Sequence, residues 1–105
     1  NTMLSASDPE IQEFLRVWHE NERGPFERSA PNLDYDSYAR KLATDRRRFI
    51  ALDRGNAKMA GQSGVYLVDR QTGAVFDIKA YGVPKRCVGT LASLTAQFTA
   101  ATPFR

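Results

Sequence analysis

Two runs of β-branched and aromatic residues flank a single glycine within Ser63–Leu91, and nothing else in the chain constrains the fold as tightly. Val65-Tyr66-Leu67-Val68 leads into the polar segment Asp69–Thr72 and Gly73, and Val75-Phe76-Asp77-Ile78 leads out of it. This pattern predicts a β-hairpin over about residues 64–82. The connection is longer than two residues, so a type I turn through Arg70–Thr72 with Gly73 in the left-handed region fits it. Gly82 and Pro84 are expected to stop the second strand, because proline cannot donate to a ladder and restricts the residue before it. A conventional register puts Val65, Leu67, Phe76, Ile78 and Ala80 on one face. The other face then carries Tyr66, Val68, Val75, Lys79 and Tyr81. Both faces are apolar, so whichever one the fold leaves uncovered is a candidate partner surface.

Upstream, Asp8-Pro9-Glu10 is a helix start: a cap, a proline in the first turn and an acid at the positive dipole end. Ile11, Phe14, Leu15 and Trp18 recur at helical spacing. Gly24-Pro25 predicts an end near Glu22, followed by a loop to Leu33 that Phe26 and Leu33 pin to the core. A second helix is expected from Asn32 or Asp34 to about Arg47, with Tyr35, Tyr38, Ala39 and Leu42 on one face. Phe49–Leu52 then reads as its last turn or, preferably, a short buried strand. Gly55-Asn56 and Gly61–Gly64 mark a turn and loop region in which Met59 tucks inward. Gly89-Thr90 introduces a short closing helix over Leu91–Phe98. The expected class is α+β: two N-terminal helices, a small antiparallel sheet built on the hairpin, and a short C-terminal helix. The 105 residues make one domain, with 1–7 and 99–105 loosely ordered. The chain opens at Asn1, which reads as a processed or truncated start with Met3 the candidate initiator.

Charge is unevenly distributed. Residues 1–36 carry three Arg against eight Asp and Glu, whereas 37–105 carry twelve Lys and Arg against four Asp; the balances of −5 and +8 give the net +3. Either the halves complement each other within the fold, or the molecule presents a basic face to an acidic partner. No run approaches the roughly 20 apolar residues of a membrane span, and no signal peptide is evident. The lone Cys87 precludes an intrachain disulfide and suits a reducing compartment, so a cytoplasmic location in a bacterial host is expected.

Catalytic signals are weak, and a non-enzymatic role without cofactor is expected. His19 and Cys87 are the single histidine and cysteine, too few for a zinc site. As a catalytic pair they would need each other and an orienting carboxylate. Lys85 and Arg86 flank the thiol but supply little else. Asp53, Asp69 and Asp77 stand singly and read as turn formers or strand-edge charges. Gly61-Gln62-Ser63-Gly64 lacks the spacing and lysine of a phosphate loop. Binding signals are stronger. For a protein partner the candidate surface is Tyr66, Lys79, Tyr81, Lys85 and Arg86, the protein itself being a monomer or small homo-oligomer. For nucleic acid, the alternative, the candidates are Arg46, Arg47, Arg48 and Arg54 with Lys79 and Arg86, since basic residues interleaved with sheet aromatics hold phosphates and stack bases.

Ser63, Gly64, Tyr66, Asp69, Thr72, Gly73, Val75, Ile78, Lys79, Tyr81, Gly82, Gly89, Thr90 and Leu91 form a pattern that resembles small uncharacterised proteins of tailed phages and bacteria. Val68–Val75 and the later Gly-Thr are more distantly similar to YrhB-type immunity proteins. The chain departs from that group in its basic charge and in Ile78–Pro84. The resemblance implies a phage or bacterial accessory protein that binds and neutralises another protein.

Overall fold

The computed structural model describes residues 3–56 and 63–102; Met59 and the loop around it lie outside that range. Helix α1 (Pro9–Ser29) and the single turn α2 (Tyr35–Tyr38) precede β1 (Arg40–Asp45), β2 (Phe49–Gly55), β3 (Ser63–Asp69), β4 (Ala74–Ala80) and β5 (Val83–Thr90), and α3 (Leu91–Ala101) closes the chain. The strands form an antiparallel meander in the order β1-β2-β3-β4-β5. The α+β class is as expected, but the sheet has five strands and only one long helix precedes it.

Helix α1 starts where the sequence places it, with Asp8 before Pro9, but it continues through Pro25. An interior proline removes one backbone bond and costs about 3 kcal/mol. Tertiary contacts hold the last turns: the Phe26 ring lies 5.0 Å from that of Tyr35, and Arg23 pairs with Glu20, Glu27 and Asp36.

The second helix of the sequence reading is replaced by one turn and a strand. Ile50 and Leu52 of β2 enter the core, and β1 lies alongside them in the register Ala43↔Leu52 and Asp45↔Ile50. The helical spacing of Tyr35, Tyr38 and Leu42 is overruled by that pairing. Arg46-Arg47-Arg48 is therefore a hairpin turn rather than a helix end. The Arg46 N–H donates to the Phe49 carbonyl, and Arg70 donates to the Arg46 carbonyl through Nη1 at 2.8 Å.

The central hairpin forms as expected, with Gly73 at φ +77° and Asp69 Oδ1 accepting from the Gln71 and Thr72 amides. Gly82, at φ +79°, then turns the chain into a further strand, β5, instead of ending the sheet. Pro84 is accommodated because β5 is an edge.

Helices α1 and α3 lie on one face of the sheet. Ile11, Phe14, Leu15 and Trp18 meet Ile50, Leu52, Val68 and Val75, with Leu91 and Leu94 from α3. A bulge opposite Leu52/Asp53 inserts one residue in β3, so Val65 and Tyr66 both pack on this cluster. The regular face assignment fails there: Val65 joins the helix side. Thr90 and Ser93 make a reciprocal capping box, and α3 runs past Phe98 to Ala101. The N-terminal segment is tied down by Leu4 N–H to the Arg70 carbonyl and Ala6 N–H to Asp45 Oδ1, at 2.8 and 2.9 Å.

Candidate functional site

The second face of the sheet contributes nothing to the cluster under the helices. It carries Phe49, Ala51, Leu67, Phe76 and Ile78, with the Phe49 and Phe76 rings edge to face at 6.0 Å. Tyr81, from the β4–β5 turn, lies over Gly64 on this face. A Cβ at Gly64 would stand 2.9 Å from Tyr81 Cδ1 and 3.0 Å from Ile78 Cδ1, so only glycine leaves room for the ring. Tyr81 remains 53% exposed. Its hydroxyl donates to Asp53 Oδ2 at 3.1 Å and accepts from Arg46 Nη2 at 3.0 Å. The Arg46 guanidinium also stands 5.9 Å from the ring centroid.

Asp53 is only 3% exposed, and its Oδ1 has no hydrogen-bond partner among the described residues. Burial pushes this carboxyl above the usual aspartate range, against the opposing pull of Tyr81 and Arg46. Asp53 ends the run Phe-Ile-Ala-Leu-Asp, and the sequence alone reads it as a turn former or a strand-edge charge. Its place at the end of a buried strand was the one signal of a different role.

Lys79, Tyr81, Lys85 and Arg86 are each exposed on the β4–β5 hairpin. Tyr66 is not with them. It faces the helices, 5.3 Å from Trp18 and 5.9 Å from Phe14 by ring centroid, because strand alternation puts it on the same face as Val68. The nucleic-acid set also divides. Arg46, Arg47 and Arg48 share the exposed β1–β2 turn, with Arg48 5.1 Å from the Phe49 ring. Arg54 is on the helix side, forked onto Glu22 and 5.8 Å from the Trp18 ring. Through Arg46 the turn joins the Tyr81 site.

The two halves of the chain do not neutralise each other. Among the described carboxylates before residue 37, only Glu22 pairs with a sheet cation, taking both Lys41 and Arg54. Arg46, Arg47, Arg48, Lys79 and Lys85 pair with no described carboxylate, and Arg86 reaches Asp77 only at 3.5 Å.

The His19–Cys87 pair does not form. Cys87 is exposed on the β5 edge, whereas His19 lies beside β1 at the other edge. His19 stacks on Tyr35 at 4.4 Å, with Nε2 2.7 Å from Asp36 Oδ1 and Nδ1 3.2 Å from Lys41 Nζ. An ammonium can only donate, so Nδ1 accepts and Nε2 carries the proton. The Lys41 side chain is 2% exposed, and it also donates to the Ala39 carbonyl and to Tyr35 Oη. This network binds α1 and α2 to β1, and its groups are occupied by one another. A groove of about 840 Å³ between the starts of α1 and α3 is lined by Leu4, Leu91, Ala92 and Ala96, with Glu10 and Glu13 at its rim. Among the described residues no His, Cys, Asp and Glu cluster could hold a metal, and no helix is long and apolar enough to cross a membrane.

Set against protein-family models, curated proteins and solved structures, the chain matches none of them.

Proposed function

We propose that the protein is a binding module that docks an acidic protein partner around Tyr81, on the sheet face away from the helices, acting as a phage or bacterial accessory protein of the inhibitor or immunity type. One observation carries this reading: a half-exposed aromatic ring, Tyr81, fixed across an apolar sheet face by Asp53 and by Arg46, a cation that pairs with no described carboxylate. Interfaces draw most of their affinity from such central aromatic and arginine anchors, while rim charges set encounter rate and specificity. Nucleic acid is the second reading, favoured by three consecutive arginines on one exposed turn. It is the weaker reading because a stacking platform needs several open rings. Tyr66 is committed to the core and Phe76 to Phe49, leaving Tyr81, among the described residues, as the one ring on this face that is more than half exposed.

Two assays separate the readings. Polarisation with a labelled single strand and a duplex, at about 50 and about 200 mM salt, tests phosphate contacts, whose affinity falls by orders of magnitude over that range. The protein reading expects no appreciable binding at either salt. Affinity capture from host lysate then compares wild type with Tyr81→Ala and Arg46→Glu. A partner of acidic composition held by wild type and lost by both variants supports the reading, and retention by both refutes it.

A further inference from the structure

The Asp53 carboxyl is the structural anomaly of this face. One of its oxygens is buried with no partner among the described residues, a state that costs about 1–3 kcal/mol and that native folds rarely keep without use. Its other oxygen takes a hydrogen bond from Tyr81, and Tyr81 takes one from Arg46. With Asp53 ionised, every element of this relay is aligned. The guanidinium donates to the phenol oxygen, the phenol proton points to the carboxylate, and the opposite charges attract across the ring. The charge-assisted bond to Asp53 is roughly twice as strong as a neutral one.

We propose that Tyr81 is a latch. Arg46 and Asp53 hold its ring in place across the sheet face, and protonation of Asp53 loosens it, so that docking on this face weakens as the pH falls. The inference rests on the docking reading above, since the latch matters only where Tyr81 is the anchor. A proton on Asp53 makes the phenol bond neutral, ends the attraction for Arg46, and places a buried O–H or C=O at Oδ1 that still lacks a partner. Among the described residues nothing else replaces the lost charge. β1 offers Leu42 opposite Asp53 in the register and β3 offers Gly64. Arg54, next in the chain, is committed to Glu22 on the helix side. Among the described residues Arg46 and Tyr81 are the groups that act on this carboxyl, and burial raises the pH at which it titrates. Gly64 supplies the seat, because the ring can lie flat there only in the absence of a Cβ. An anchor held in its bound position loses less entropy on docking, so loosening the ring lowers affinity without removing any contact.

The test needs no partner. The ring resonances of Tyr81 are followed by NMR from about pH 7.5 down to about pH 4, spanning the region above the ordinary aspartate value of about 3.9. The expected result is a sigmoidal shift with a midpoint above that value, accompanied by increased ring mobility. Asp53→Asn is expected to abolish the titration. Tyr81→Phe, which keeps the ring and removes the hydroxyl, is expected to give a mobile ring at every pH and serves if Asp53→Asn does not fold. A ring that does not change over the range, or the same titration in Asp53→Asn, overturns the latch. Either result leaves the docking reading standing, because that fails only if Tyr81→Ala and Arg46→Glu retain the partner.

Discussion

Replacing Glu22 by Gln should destabilise the fold far more than an ordinary surface change, with a loss that shrinks as the pH rises. Glu22 is the one carboxylate that meets Lys41, at 3.2 Å, and it also takes the Arg54 fork. Removing one partner of a buried pair costs about 3–5 kcal/mol when the remaining charge is left without compensation. Here the ammonium keeps the Ala39 carbonyl at 2.7 Å, Tyr35 Oη at 3.0 Å and His19 Nδ1 at 3.2 Å. Three acceptors remain for three N–H groups, so the hydrogen bonding survives and only the opposing charge is lost. About 2–3 kcal/mol is therefore expected, equivalent to a fall in Tm of about 10–20 °C. The pH dependence follows from Lys41. Burial holds its amine below the ordinary lysine value, with Glu22 opposing the shift. The unfolded chain keeps the proton to higher pH, so stability rises with pH between the two values. Loss of Glu22 lowers the folded value further, and the gap between variant and wild type should narrow from about pH 7 to about pH 10. Urea unfolding at several pH values measures this directly. A double-mutant cycle with Lys41→Met completes it: without the ammonium, Glu22→Gln should cost well under half as much. A pH-independent loss, or additivity in the cycle, would refute the stranded-charge account.

Other positions isolate single effects. Gly64→Ala drives a methyl group against Tyr81 and Ile78, and should cost about 1–3 kcal/mol in chemical denaturation while displacing the Tyr81 ring resonances. Gly82→Ala meets no atom within 4 Å, so its cost, about 1–2 kcal/mol by the same measurement, comes from the left-handed backbone alone. Thr90→Ala removes the cap of α3 and should lower stability by about 1 kcal/mol, with faster amide exchange confined to the first turn of that helix.

What the sequence reveals of this fold is set by the range of the interactions. The Asp69–Gly73 turn, the start of α1 and the cap of α3 depend on residues a few positions apart, and each forms where local chemistry places it. The errors arise where distant parts of the chain decide. Arg40–Asp45 becomes a strand because β2 needs a neighbour, and α1 survives Pro25 because Tyr35 and Asp36 return to hold it. The candidate surface divides in the same way. Lys79, Lys85 and Arg86 are neighbours along a hairpin and stay together, whereas Tyr66 follows Val68 onto the helix face and Tyr81 crosses from the β4–β5 turn onto the other. Asp53 becomes part of a site only when the β4–β5 turn brings Tyr81 across the sheet and the β1–β2 turn brings Arg46.

The separation of charge along the chain becomes a separation in space. Acidic residues concentrate on α1 and α2, where Glu13, Glu20, Glu27 and Asp36 are occupied by Arg16 and Arg23. Glu22 reaches through to the sheet, and it is consumed by the two cations that anchor α1 to β1 and β2. In the β1–β2 turn Arg46, Arg47 and Arg48, and in the β4–β5 hairpin Lys79 and Lys85, pair with no described carboxylate, while Arg86 has Asp77 at 3.5 Å. Their mutual repulsion opposes compactness, and the fold tolerates it because exposed charges in water interact by only about 1 kcal/mol at contact distance, less at physiological salt. On the docking reading proposed above, Arg46 beside Tyr81 and its neighbouring cations attract an acidic partner, and a field of one sign accelerates such an encounter by about 10-fold or more. On that reading the partner is captured by charge and retained by a fixed aromatic anchor.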